Sequence, residues 1–423
     1  MKILLAIILS LLVFTSCARE SIKTPQQAMR LAQNPPELTD DLPLQELELA
    51  LGQKIIRLKE VEKEQLIFGP ATVSKDEYIL ALKFLEVKLR SGISKEQLNN
   101  LVNSNFDFYE VYGKEDWGDV LITSYYEPVL DGSTVKSGEF TQPLYSVPDD
   151  FVTIHLDKFV DTFDKLSPIK DEVLDNHNNI KVLRGRVSLP YVEGGSQNVV
   201  PYYTRKEIDS DGKLSGRGLE LAWVDPIDAF FLHVQGSGTV LLDDRTRLRL
   251  GYASKNGFPF YAIGKHLLDT IPKEKMSMQS IEQYLRSLPE SEMREILNLN
   301  KSYVFFRKLE TRPITSFGTE VVDGRTIATD KRFFPMGSLG FLEFEKPVFD
   351  SPDSRHPSSW EKTSRFVLDH DTGGAIKGTH RVDLFWGSGK EAGQSAGVMK
   401  QWGKLYYLVP KDSLLQKFKP ASN

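Results

Sequence analysis

Two aspartates, Asp371 and Asp383, flank the run Thr-Gly-Gly-Ala-Ile-Lys-Gly-Thr-His-Arg-Val near the end of the chain. Phe366-Val-Leu368 leads into the first acid, and Val382, Leu384 and Phe385 surround the second. A strand, a tight glycine turn and a returning strand would carry both acids to one end of a sheet. A carboxyl group held against apolar walls has a raised pKa, because burial disfavours its charged form. Such a group suits general acid/base catalysis near neutral pH. Lys377, inside the turn, would oppose that rise if it lay within a few ångströms.

Other motifs in the same region lose their context on inspection. Gly393-Gln-Ser-Ala-Gly397 matches a nucleophile elbow, but that chemistry needs a later histidine base and none follows His380. Gly387-Ser-Gly-Lys390 resembles the end of a phosphate loop. Leu384 stands where its first glycine belongs, and Glu391 replaces the magnesium-binding hydroxyl. Asp371-Thr-Gly373 matches an aspartic-protease triplet whose second copy is missing. Asp369, His370, Asp371, His380 and Asp383 could suggest a metal cluster. Neighbouring side chains on a strand point to opposite faces, so the set does not converge easily. No metal and no cofactor is expected, and His370 and His380 read as surface or packing residues.

The elements that must position the acids come from a chain of 423 residues, 40% apolar and 26% charged, which suits a soluble globular body of two or three domains. A formal charge of −5 argues against nucleic acid as a partner. The N-terminus is Met1-Lys2, an apolar run from Ile3 to Phe14, then Thr15-Ser16-Cys17. It resembles a bacterial lipoprotein signal over residues 1–16, with Cys17, the only cysteine, as the lipidated residue. A plain secretory signal is the alternative. Ala18 after the cysteine favours the outer membrane by the same resemblance. Residues 17–43, polar and carrying four prolines, read as a tether.

Helices follow. Leu44 to Glu64 has helical apolar spacing, and Ser74-Lys-Asp-Glu77 and Ser94-Lys-Glu-Gln97 are capping boxes. From Val120 the pattern changes to short β-rich runs, including Ala222–Val234, Thr239–Leu250, Tyr303–Arg307, Thr326–Thr329, Leu339–Phe344 and Lys404–Val409. Helical stretches at 264–271 and 280–299 interrupt them. Leu232-His-Val-Gln-Gly-Ser-Gly238 reads as a buried strand ending in a polar turn, either a plain hairpin or a surface for sugar hydroxyls. Tyr125 and Tyr126, in Ser124-Tyr-Tyr-Glu-Pro128, suit sugar-face stacking or a core.

Taken together, Thr123 to Pro128, Trp223-Val-Asp-Pro226, Phe230 to Gly238, Tyr303-Val-Phe-Phe306, Ala328-Thr-Asp330 and the Asp371–Asp383 block resemble the membrane-bound lytic murein transglycosylase A family. The last block resembles its three-aspartate domain. Ser124 replaces a usual glycine, and the turn after Gly378 is a residue or so longer than in some members. The resemblance implies a mainly β fold with peripheral helices. A double-psi β-barrel would form from residues 44–130 and 303–423, with a second β-barrel-like domain inserted at 131–302 and a glycan groove between. It implies Asp383 as catalytic acid and base, with Asp371 in support. Substrate contacts map to Asp330, Tyr125, Tyr126, Gln235, Gly236, Ser237 and Lys377. The implied partner is a peptidoglycan strand, with the membrane reached through the lipid anchor on the periplasmic face of the outer membrane. The implied reaction releases 1,6-anhydro-muramic ends without water. A true hydrolase on the same barrel, or a non-catalytic peptidoglycan-binding lipoprotein, are the alternatives.

Overall fold

The computed structural model describes residues 22–114, 117–174, 181–188 and 195–419. The signal-like residues 1–16 and Cys17 lie outside the described residues. The first helices form where spacing and caps place them, at Leu44–Glu60, Lys75–Arg90 and Lys95–Asn105. The Ser74 hydroxyl accepts the Glu77 amide, and the Ser94 hydroxyl accepts the Gln97 amide, so each helix start has a partner for an otherwise orphan N–H. Leu47, Leu51, Leu58, Leu82 and Leu85 are buried from these helices against Phe341, Leu368 and Tyr407 of the sheet. Each such leucine contributes about 1.5–3 kcal/mol relative to exposure.

Six strands close into a barrel: Asp119–Glu127, Thr326–Ala328, Leu339–Val348, Ser359–Asp371, Arg381–Ser388 and Lys400–Pro410, here barrel strands one to six in chain order. Around the barrel the order is six, three, four, two, five, one, with strand one pairing back onto strand six. Strands two and four run parallel, as do five and one, and the other neighbours are antiparallel. Register puts Ile122, Ile327, Val367, Val382 and Leu384 on one face of the strands and Leu339 and Phe341 on the other, and all of them are buried.

Between strands one and two the chain leaves the barrel. It builds a second sheet in the order Val304–Leu309, Arg247–Lys255, Ser237–Leu241, Val129–Ser133, Glu220–Val224, Gln142–Tyr145. A bridge between Ser146 and Phe306 joins its two ends. A separate three-stranded sheet holds Phe151–His155, Val182–Ser188 and Asn198–Pro201.

Four features depart from the sequence reading. Ala222–Val234 is not one strand: it ends at Val224, and a helix runs from Pro226 to Gln235. Asp225 accepts the Ile227 and Asp228 amides at 2.9 and 3.0 Å, Pro226 fills the first helical position, and Gly236 ends the helix at φ +82°. These are strong start and stop signals, and they outweigh the strand-like composition. Thr239–Leu250 divides into two paired strands around a turn in which Arg245 has φ +67°. The 280–299 helix is two helices, Met278–Arg286 and Glu290–Asn298, with Pro289 at the break. Residues expected to run as a tether pack onto the body from Thr24 onward. Met29–Leu31 pairs with Phe106–Val111, and Asp40 bridges to Ser364.

Candidate active site

Register along three strands places the two acids. Ala328 is the Cα partner of Asp371 on one side and of Asp383 on the other. The expected hairpin is thus not a hairpin: strand two lies between strands four and five. Both acids still reach the same end of the barrel at the same level. Their Cα atoms stand two strand spacings apart, ~10 Å. A bulge between Ile327 and Ala328 takes up one residue of strand four there. It leaves Asp369 as the Cα partner of Ile327 and Asp371 as that of Ala328.

Asp383 is half-buried between Val382 and Leu384. Its Oδ1 accepts the Thr123 hydroxyl at 2.6 Å, from the strand paired beside it. Burial pushes its pKa up to about 6, the Thr123 bond and the Arg381 charge pull it down, and the Asp371 charge raises it further. The cation that opposes the rise is therefore Arg381, two residues along the same strand face, while Lys377 sits exposed in the turn. A carboxyl group of this kind exchanges a proton close to neutral pH.

Asp371 is held rather than free. Its Oδ1 accepts the Ser316 amide at 3.0 Å, the Ser316 hydroxyl at 2.7 Å and the Thr372 amide at 2.9 Å. The Tyr125 hydroxyl donates to Oδ2 at 2.9 Å. The Tyr125 ring lies against Phe385, with centroids 5.1 Å apart. Tyr125 thus joins strand one to Asp371 as a hydrogen-bond donor. Burial first, then the charge of Asp371, push its phenol pKa well above the usual value, so it stays protonated and able to donate.

Asp330 shapes the turn. It is 3% exposed, pairs with Arg332 through both oxygens, and accepts the Gly378 amide at 2.8 Å. Burial alone would raise its pKa, but these bonds hold it below the usual carboxylate range. Gly378, at φ +83°, adopts a backbone conformation that L side chains rarely reach.

A further acid lies behind the rim. Asp369 is fully buried, and its Oδ2 accepts the hydroxyls of Tyr407 at 2.5 Å and Thr329 at 2.7 Å. Burial pushes it up to about 7, against those bonds and the nearby Lys54 charge. Lys54 comes from the Leu44–Glu60 helix and is itself fully buried, and burial pushes its pKa well below the usual lysine range, against the pull of the Asp369 charge. His370 points away from both acids, bonded to Thr319 at 3.0 Å and stacked on Phe317.

The inserted unit meets this end of the barrel through a few polar joints. Glu127 is 5% exposed and accepts Thr239 at 3.0 Å and Ser388 at 2.6 Å, one from each unit. Gln235 accepts the Tyr126 amide at 3.1 Å, and Gly236 and Ser237 follow it into the Ser237–Leu241 strand. Gln279 donates to the carbonyls of Gly393 and Gln394 at 3.1 and 3.2 Å. The elbow-like glycines lie in a helix, Gly389–Val398, and serve close packing. A Cβ on Gly393 would stand 2.7 Å from the Tyr126 ring, and one on Gly397 would overlap Gln279.

Thr123, Ser316 and Arg381 touch or flank the acids but were not singled out by the sequence, and Asp369 entered only the metal cluster that strand alternation argues against. Thr123 begins a quoted motif, and Arg381 sits two residues before Asp383, so both left a faint signal. Ser316 lies in an irregular loop with no pattern at all.

Residues 121–307 match the family model for the MltA specific insert domain, and residues 325–409 match that for the 3D domain. The membrane-bound lytic murein transglycosylase A of Escherichia coli K12 is 31% identical over 314 residues, covering 73% of this chain and 71% of the relative. A solved membrane-bound lytic murein transglycosylase from Agrobacterium tumefaciens is 26% identical with a TM-score of 0.67, covering 93% of this chain and 100% of that one. The E. coli MltA solved with bound chitohexaose, 24% identical with a TM-score of 0.63, shares the fold over 92% of this chain and 96% of its own. Barrel and insert together define a 3D-domain protein carrying an MltA-type insertion. The chain belongs to the membrane-bound lytic murein transglycosylase A family.

Proposed function

We propose that the protein cleaves the β-1,4 bond between N-acetylmuramic acid and N-acetylglucosamine in peptidoglycan, leaving 1,6-anhydro-muramic ends, with Asp383 as the single acid and base. The observation that carries this reading is the asymmetry of the two aspartates. Asp383 has one hydroxyl partner and a pKa raised to about 6, whereas Asp371 is tied by four donors. Ordinary glycoside hydrolysis uses two working carboxylates. Here one is committed to structure, and the C6 hydroxyl of the muramyl sugar supplies the missing nucleophile.

In the first step protonated Asp383 gives its proton to the glycosidic oxygen as the C1–O bond breaks. In the second the Asp383 carboxylate takes the C6 hydroxyl proton as that oxygen bonds C1. The proton returns to the enzyme, and no water is consumed. Asp371, oriented by Tyr125 and Ser316, lends negative charge beside the developing oxocarbenium ion. Asp330 holds the turn that carries Lys377 past the site. Gln235, Gly236 and Ser237 form the insert's wall for the glycan and Tyr126 contacts it from the barrel side, with the barrel drawn from residues 44–130 and 303–423 and the insert from 131–302.

The product mass tests this. Digested peptidoglycan should give muropeptides lighter by one water than hydrolytic products, and reducing-end products would overturn it. A second expected result follows from the pKa. The proton-donating form of Asp383 is lost as pH rises through about 6, so kcat/KM falls on that limb. Thr123→Val removes a donor to the carboxylate and should move the limb upward by about one unit, a bond to a charged group being worth about 1.5 kcal/mol or more. A limb that stays in place would remove Thr123 from this role.

Among the described residues no helix is long and apolar enough to cross a membrane. Lipidation at Cys17 is the anchor we propose, holding the enzyme on the periplasmic face of the outer membrane, in keeping with the membrane-bound relatives. No metal or cofactor enters the proposed chemistry.

A further inference from the structure

Strand four carries an extra residue where it meets strand two. Ile327 and Ala328 are the Cα partners of Asp369 and Asp371, so His370 stands between them without a partner on strand two. A bulge of this kind disrupts the ladder locally and re-aims the side chain beside it. Here that side chain is Asp371. The backbone around the bulge is held on its other flank. The His370 carbonyl accepts the Phe317 amide at 2.9 Å, the Asp369 carbonyl accepts the Gly337 amide at 2.7 Å, and the Asp369 amide donates to the Ser338 carbonyl at 3.1 Å.

The Asp369 side chain reaches back to strand two. Its Oδ2 accepts the Thr329 hydroxyl at 2.7 Å and the Tyr407 hydroxyl at 2.5 Å. Thr329, 1% exposed, follows Ala328, and its amide donates to the Asp371 carbonyl at 3.2 Å. The next residue is Asp330, which ties the turn at Gly378. Asp369 and Thr329 therefore join strands four and two across the bulge, directly beneath the register that levels the two acids. A fully buried carboxyl is a costly filling for a barrel wall, because an apolar side chain of similar size packs there without desolvation. What the acid adds is direction. A hydrogen bond fixes the separation and angle of its partners, whereas apolar contact is non-directional.

We propose that Asp369 is a positioning residue for the reaction: through Thr329 it locks the bulge that aims Asp371 at the reacting sugar. This rests on the lytic transglycosylase reading of the site. Asp369 touches no substrate and moves no proton. Asp371 acts on charge that develops in the transition state, so a loosened bulge lowers kcat and leaves KM in place.

Steady-state kinetics on soluble peptidoglycan strands test the lock. Asp369→Ala and Thr329→Val each remove one half of the bond and should lower kcat by about tenfold at unchanged KM, part of what misplacing a catalytic group costs. The double variant should lose no more than either alone, because the two residues act as a unit. Asp369→Asn keeps a carbonyl oxygen to accept both hydroxyls and should stay within about twofold of the wild type. Tyr407→Phe strips the other hydroxyl from the same oxygen, at a residue paired with Gly340 and away from the acids. It should lower the urea midpoint much as Thr329→Val does, yet keep kcat. Losses that multiply in the double variant, an asparagine variant as slow as the alanine one, or equal kcat losses in Tyr407→Phe and Thr329→Val would overturn the lock. Thr329→Val at wild-type kcat overturns it alone, even where Asp369→Ala does not fold. All of these leave the cleavage reading intact, whereas wild-type enzyme that releases no anhydro product overturns both.

Discussion

Asp383→Asn leaves the barrel folded and lowers release of anhydro-muropeptides from purified sacculi by roughly 10³-fold, within the range that general acid/base groups supply. Asparagine keeps the shape of the side chain and can still accept the Thr123 hydroxyl through its carbonyl oxygen. What it cannot do is deliver a proton. Stability should move the other way. A carboxyl whose folded pKa lies above its unfolded value binds more protons in the native state between roughly pH 4 and 6, so stability falls as pH rises through that window. At pH 7 the variant should therefore be at least as stable as the wild type, and the difference should vanish below about pH 4. Circular dichroism melts at the two pH values, beside product release, separate a catalytic loss from a folding loss. Full activity in the folded variant would take Asp383 out of its role.

The second large effect is on the frame. Asp40→Ala should lower unfolding free energy by about 3–5 kcal/mol, the cost of leaving one member of a buried pair uncompensated. Arg325, 0% exposed in its side chain, gives two bonds to Asp40, at 2.8 and 3.2 Å. The Asp40 carboxylate also accepts the Leu42 and Phe366 amides at 2.9 and 3.0 Å. Arg325 immediately precedes strand two, whose Ala328 aligns both acids, so loss of the pair loosens the register of the site as well as the fold. The apolar double replacement Asp40→Leu with Arg325→Met should recover most of the loss, because it buries no lone charge. Urea unfolding of the three variants tests this, and a loss below about 1 kcal/mol for Asp40→Ala would show that water or another group replaces the partner.

Much of this protein is legible locally. Ser74 and Ser94 announce their helices, because a capping hydroxyl and an amide three residues on are neighbours in any chain. The strand that carries Asp383 is legible from its own apolar neighbours, Val382 and Leu384. The helix at Pro226–Gln235 was equally legible in Asp225, Pro226 and Gly236, and was obscured only by the β-like residues between them.

What the chain alone cannot show are relations between distant segments. Asp40 reads as part of a polar, proline-bearing leader, since nothing in residues 17–43 names Arg325, 285 positions away. Ser316 and Tyr125 meet on Asp371 from two loops and strands with no shared pattern. Strand two intervenes between the acids because a closed barrel must pair every strand on both sides, which a two-strand reading omits. Asp371 and Asp383 were thus marked as a pair by composition and spacing. Closure of the barrel decided which is tied by donors and which keeps a movable proton, because burial and hydrogen bonding, which set a carboxyl's pKa, are properties of the assembled surroundings.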